Sequence, residues 1–302
     1  MKHKINKKII VGSLAAMLVL TGCGNKDKSD EKTGLKMGVG IYNSTSASDA
    51  TAEKAGKFES NVTYAAVIME GDKVKDVFID TAQNKIEVQF DGKTSFEPKA
   101  TKRELGDSYG MAKDGKLEWY KQIEELEKWM KGKTLTEIKG GSDLSSSVSI
   151  KTEPYMTAVE KAISSATEVK GLDKFAITSK VSAKFGEVET LEIGTIVTAV
   201  ATDESGKIIY SFIDESQMKA NQNLNKVEVL ENLKTKGELK EDYGMSKAGK
   251  TEWYKQVEAV NAKIVGKTAT ELKVDDADVV SSASITLDSI MESMIKTIEV
   301  IK

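Results

Sequence analysis

The chain has 302 residues, a net charge of −3 and 30% charged residues, with acids and lysines interspersed. That balance favours solubility and argues against a nucleic-acid partner. One cysteine, one histidine and one arginine leave too few residues for a disulfide framework, a histidine zinc site or a cluster of arginine forks.

Residues 1–22 read as a secretory signal. Lys2, Lys4, Lys7 and Lys8 precede an apolar run from Ile9 to Leu20, too short for a permanent membrane span, and small residues follow. Leu20-Thr21-Gly22-Cys23 resembles a bacterial lipobox, whose cysteine is diacylated after cleavage on its N-terminal side. The resemblance implies lipidation at Cys23 and a location on the extracytoplasmic face of the cell membrane, since two acyl chains anchor stably. Cleavage would remove His3 and four lysines, moving the charge from −3 to −7 and leaving neither imidazole nor free thiol for catalysis. Residues 23–34 are polar and are expected to form a solvated tether.

Beyond the tether the sequence is written twice. Ser108-Tyr-Gly-Met-Ala-Lys-Asp-Gly-Lys-Leu-Glu-Trp-Tyr-Lys-Gln122 recurs from Asp242 to Gln256, and Phe78-Ile-Asp80 recurs as Phe212-Ile-Asp214. Thr101-Lys-Arg-Glu-Leu105 recurs as Thr235-Lys-Gly-Glu-Leu239, and Gly132-Lys-Thr134 as Gly266-Lys-Thr268. A period this long marks a duplicated domain rather than a solenoid, with copies expected at 35–169 and 170–302. In each copy, β-branched runs around a polar turn predict a hairpin: 62–69 with 74–80, and 195–201 with 207–214. Leu35 to Tyr42 and Phe175 to Val181 are expected to add a strand, and Asn43 to Gly56 a loop. Trp119, Tyr120, Ile123, Leu126 and Met130 form one helical stripe, as do Trp253, Tyr254, Val257, Val260 and Ile264; the glycines at 132 and 266 stop both helices. A closing helix carries Met156, Val159 and Ile163, or Met291, Met294 and Ile298. Strands followed by helices predict an α+β fold, an antiparallel sheet with packed helices in each of two tandem copies.

Candidate sites follow from the repeats. The shared phrase reads as a turn and a helix start, with core aromatics; the alternative puts Tyr109 and Tyr243 beside a ligand ring. Asp80 and Asp214 are expected at strand ends, making turn hydrogen bonds rather than acid–base chemistry. Val274 to Asp278 is acidic but lacks the spacing and glycine of a calcium loop. Asp278-Val-Val-Ser-Ser-Ala-Ser-Ile-Thr286, with its partner Asp143-Leu-Ser-Ser-Ser-Val-Ser-Ile-Lys151, sets hydroxyl residues before the closing helix, where they can cap its amides or meet a phosphate.

This order of elements resembles the FMN-binding domain of membrane-anchored bacterial flavoproteins, whose Asp-x-x-Ser/Thr-Gly-Ala-Thr/Ser motif enters a final helix. In that family a flavin transferase joins FMN through its phosphate to the last hydroxyl of the motif. The resemblance aligns that hydroxyl with Ser284, and with Ser149 in the first copy. Ser282 and Ser147 stand where the motif has glycine, and Val148 where it has alanine. A lipobox followed by two such domains resembles Gram-positive surface lipoproteins linked to extracellular flavin electron transfer and to peptide-pheromone precursors. What it implies is a non-enzymatic FMN carrier working with a flavin transferase and membrane electron-transfer proteins. The alternative is a cell-envelope binding lipoprotein with degenerate domains, with Ala15 to Gly22 as a pheromone segment.

Overall fold

The computed structural model describes residues 18–19, 34–112, 116–141, 144, 148–186 and 189–301. In the first copy, β2 (Leu35–Ser48), β3 (Gly56–Glu70) and β4 (Lys73–Val88) form an antiparallel meander, edged by β5 (Thr94–Phe96). There follow α1 (Lys102–Leu105), α2 (Trp119–Met130), α3 (Leu135–Gly140) and α4 (Glu153–Ser164). The second copy repeats this after β6 (Thr167–Glu168): β7 (Lys174–Lys184), β8 (Thr190–Thr202), β9 (Ile208–Asn223) and β10 (Lys226–Val229). Its helices are α5 (Lys236–Leu239), α6 (Trp253–Ile264), α7 (Ala277–Val280) and α8 (Asp288–Ile301). The sheets are ordered β5-β4-β3-β2-β6 and β10-β9-β8-β7-β1, where β1 is Leu18–Val19. β1 and β6 take matching places: Thr167 pairs with Met37 on one sheet and Leu18 with Phe175 on the other. The fold is thus α+β, two antiparallel sheets each followed by packed helices.

The strands are longer than the apolar runs that signalled them. Asn43 to Ser48 continues β2, paired in register with Lys57 to Val62, so only residues 49–55 form the loop expected over 43–56. Likewise β4 runs on to Val88 and β9 to Asn223. Asp80 and Asp214 therefore lie inside strands, not at their ends. Polar alternation disguised these extensions, because their outward side chains meet solvent while backbone pairing continues.

Both faces of each sheet are buried, which explains the near-continuous apolar stretch Val62 to Met69. Val62, Tyr64, Ala66 and Ile68 face inward and pack against Phe175, Ile177, Val197, Ala199 and Ala201 of the other copy. Ala65, Val67 and Met69 face outward, against Trp119, Ile123 and Leu126 of α2 and Ala158 and Val159 of α4. The second sheet carries α6 and α8 on its outer face in the same way. The arrangement is helix, sheet, sheet, helix, with the two copies joined through their inner sheet faces. Each aliphatic side chain fully buried there is worth about 1.5–3 kcal/mol. A second apolar cluster crosses the sandwich where Phe58, Ile86 and Val88 meet Leu191, Ile193 and Met218.

Gly38 and Gly40 set the distance of α4 from its sheet. A Cβ at either position would lie 2.0 Å from Ala162 O or 2.1 Å from Ala158 O, so only glycine lets the helix backbone lie against β2.

Candidate functional site

The repeated phrase forms one knot in each copy. Glu118, buried at the start of α2, accepts the backbone N–H groups of Met111 and Ala112 at 3.0 and 2.8 Å. Glu252 does the same for Met245 and Ser246, at 3.1 and 2.8 Å. These bonds fold the turn back onto the helix. Four residues on, the phrase ends in a glutamine whose amide is buried: Gln122 is 0% exposed and Gln256 4%.

That glutamine holds the serine segment. Gln256 Oε1 accepts from Ser284 N at 2.6 Å, Ser284 Oγ at 3.0 Å and Ile285 N at 3.1 Å. Gln122 Oε1 accepts from Ser149 N at 2.7 Å, Ser149 Oγ at 3.2 Å and Ile150 N at 3.1 Å. The amide nitrogens in turn donate to Thr251 O and Leu117 O, at 2.7 and 2.8 Å. Ser149 and Ser284 are both exposed, so each hydroxyl is fixed from below and open above. The sequence reading aligned these serines but missed the glutamines, although both belong to the repeated phrase.

The rest of the motif is less alike. Asp278 pairs with Lys263 at 3.0 Å, and the Ser281 and Ser282 hydroxyls donate back to Asp278 O and Val279 O. Among the described residues, those other than glycine with positive φ are Leu224 and Lys240, so Ser282, which the resemblance aligns with the motif glycine, has no left-handed backbone. Asp143 and Ser145 to Ser147 lie outside the described residues, as does Cys23. Each exposed hydroxyl has no carboxylate among its hydrogen-bond partners and leaves room for a phosphoester, while the neighbouring N–H groups are spent on the glutamine oxygen rather than free for phosphate. Half-buried Met245, Ala283 and Ile285 supply an apolar border beside Ser284, as Met111 and Ile150 do beside Ser149.

Asp80 and Asp214 serve the short helices α1 and α5. Asp80 accepts the N–H groups of Thr81 at 2.7 Å and Arg103 at 3.1 Å, and the Tyr64 hydroxyl at 3.3 Å. Asp214 accepts from Glu215 N at 2.7 Å, Gly237 N at 2.9 Å and Thr235 Oγ1 at 2.6 Å. Burial pushes both carboxyls up to about 6, against the opposing pull of these hydrogen bonds. Tyr109 and Tyr243 stand over Lys102 and Lys236, whose ammonium groups lie 5.1 and 5.2 Å from the ring centres and also face Trp119 and Trp253. In the acidic stretch, Asp276 caps α7 and pairs with Lys267 at 3.1 Å.

Among the clefts that open between the copies, two lie beside the short helices α1 and α5. One, of about 600 Å³, lies between β2 and α4 of the first copy and α5 and α6 of the second. The other, of about 430 Å³, lies between α1 of the first and β7 and α8 of the second. Among the described residues no helix is long and apolar enough to cross a membrane. No protein family, curated protein or solved structure was found to match this chain.

Proposed function

We propose that the protein is a lipid-anchored, extracytoplasmic flavin carrier in electron transfer, not an enzyme with its own substrate. The observation that supports this most is the repeated serine geometry: one exposed hydroxyl per copy, in the aligned motif position, held in both copies by the same three bonds to a buried glutamine. FMN would supply the redox chemistry itself. The chain would supply attachment at Ser284 and Ser149, with Gln256 and Gln122 fixing the hydroxyls and the adjoining methionines offering an apolar border. Cys23 would hold the assembly at the membrane, beside a flavin transferase and electron-transfer proteins.

Flavin fluorescence in a denaturing gel tests this on protein made with a flavin transferase present. The expected result is a fluorescent band, lost in the Ser149→Ala/Ser284→Ala double variant. A dark wild-type band overturns covalent attachment, and an equally bright double variant overturns the site. The second reading, a binding lipoprotein of the cell envelope, is favoured by one observation: Ser282 in place of the motif glycine.

A further inference from the structure

Arg103 is the only arginine in the chain, and its counterpart in the second copy is Gly237. In the first copy, β4 turns the backbone of Ile79 toward the open edge of the sheet, where two side chains cover it. Arg103 donates through Nε and Nη2 to Ile79 O at 3.2 and 3.1 Å. Its guanidinium lies 4.5 Å from the centre of the Phe78 ring and pairs with Glu127 at 2.6 Å. Glu127 Oε1 also accepts the Ile79 N–H at 2.6 Å. The arginine side chain is 9% exposed. The first copy therefore carries a built guanidinium site, filled by its own residue.

The second copy keeps the ring, the strand edge and the outer carboxylate of this receptor, and lacks both the occupant and the carboxylate that pairs with it. Ile213 pairs with Thr198 in the register in which Ile79 pairs with Ala65, so its backbone turns to the same edge. Phe212 and Glu258 stand where the first copy has Phe78 and Glu124, while Gly237 and Asn261 replace Arg103 and Glu127. Here lies the 600 Å³ cleft, whose lining includes Phe212, Ile213, Gly237, Val257, Glu258 and Asn261. At the equivalent place in the first copy, Arg103 lies over Phe78 and Ile79. Two lysines also line this cleft. Lys161 is neutralised by Glu238 at 2.5 Å. Lys240 is held at φ 49, matching Gly106 at φ 50, a conformation that a residue with a side chain adopts only under strain.

We infer that this cleft binds an alkylguanidinium ligand of arginine's size, its planar group against the Phe212 ring and the Ile213 carbonyl, and its carboxylate toward Lys240. The volume lies within the ordinary small-molecule range of about 300–1,000 Å³. Glu258 adds an acceptor for the fork, and Val257 an apolar wall for the alkyl chain. The site is separate from Ser149 and Ser284 and does not depend on flavin.

The test is titration of the purified full-length chain with L-arginine, agmatine, L-lysine, a Gly-Arg-Gly peptide and inorganic phosphate, read by tryptophan fluorescence, since Trp253 lines the cleft. L-arginine is expected to give a saturable change that L-lysine does not. Phe212→Leu and Glu258→Gln should each weaken it by about tenfold, and Glu124→Gln should leave it unchanged. Gly237→Arg should abolish binding by filling the site. A Cβ there would lie 2.7–3.0 Å from the Asp214 carboxyl atoms, so if that variant does not fold, the other two decide. A Gly-Arg-Gly peptide that binds as tightly as arginine assigns the ligand to a peptide side chain, and one that does not assigns it to the free amino acid. The inference is overturned if no guanidinium compound binds below about 10 mM, or if L-lysine binds equally well. It is also overturned if Phe212→Leu and Glu258→Gln bind like wild type, or if phosphate alone binds and Lys240→Ala removes it.

Discussion

Lys161 of the first copy reaches Glu238 of the second at 2.5 Å, and Lys296 of the second reaches back to Glu104 of the first at 3.2 Å. Each glutamate uses its other oxygen to close a capping box, accepting the N–H of Thr235 or Thr101 at 2.9 Å. The contact between copies and the start of α1 or α5 thus share one carboxylate. Partly exposed pairs of this kind contribute about 0–1 kcal/mol each. Glu104→Gln/Glu238→Gln keeps an acceptor for the cap and should cost at most about 2 kcal/mol in urea unfolding. A variant as salt-sensitive as wild type would show that the lysine pairs contribute nothing.

Gln256→Ala removes the acceptor shared by Ser284 N, Ser284 Oγ and Ile285 N. The expected result is faster hydrogen exchange at the 284 and 285 amides and a local loss of about 1–3 kcal/mol. If the flavin reading holds, attachment at Ser284 should fall although the serine is intact. Unchanged exchange at both amides would show that the glutamine does not hold the segment.

Acidity should stabilise this protein down to about pH 5. Asp80 and Asp214 have folded values of about 6 against an ordinary 3.8, and Glu127 about 7 against 4.5, all three raised chiefly by burial. Between the two values the folded chain holds a proton that the unfolded chain has released. Their contribution is therefore fully present below the unfolded value and lost as pH rises through the folded one. For each aspartate the swing is about 3 kcal/mol. Glu59 and Glu192 are held below 4.5, and their opposite contribution is lost only at lower pH. The melting temperature should be higher at pH 5 than at pH 7, and Asp214→Asn should flatten the difference. A melting temperature that rises from pH 5 to 7 in wild type contradicts this.

Arg103 and Glu127 should behave as a coupled pair. Arg103→Met leaves Glu127 buried without its cation and should cost about 3–5 kcal/mol. The double change Arg103→Gly/Glu127→Asn reproduces the second copy's own pair and should cost less than the sum of its two single changes. Additive losses in urea would mean that the two side chains do not support each other.

The hairpins, the helical stripes and the duplication were legible because apolar periodicity and repetition are local signals. Strand length was not, since Asn43 to Ser48 is held by backbone pairing that polar side chains hide. The joining of the copies was also hidden. Tyr64 and Ala65 look alike in a continuous apolar run, and nothing local tells which of them meets Ser179 across the sandwich. The Thr-x-x-Glu signature at Thr101 and Thr235 would have predicted the short helices α1 and α5. At the serine motif, the phrase and the segment are 27 and 28 residues apart. Their connection through Gln122 and Gln256 is purely three-dimensional.

The reciprocal lysine pairs have an evolutionary consequence. Two contacts that exchange roles between copies are what a twofold dimer axis produces. An ancestor half this length, with one sheet and one bare inner face, would have covered that face with a second identical subunit. Fusion of two such genes would make the partnership permanent and free the halves to differ, as they do where one has Arg103 and the other Gly237.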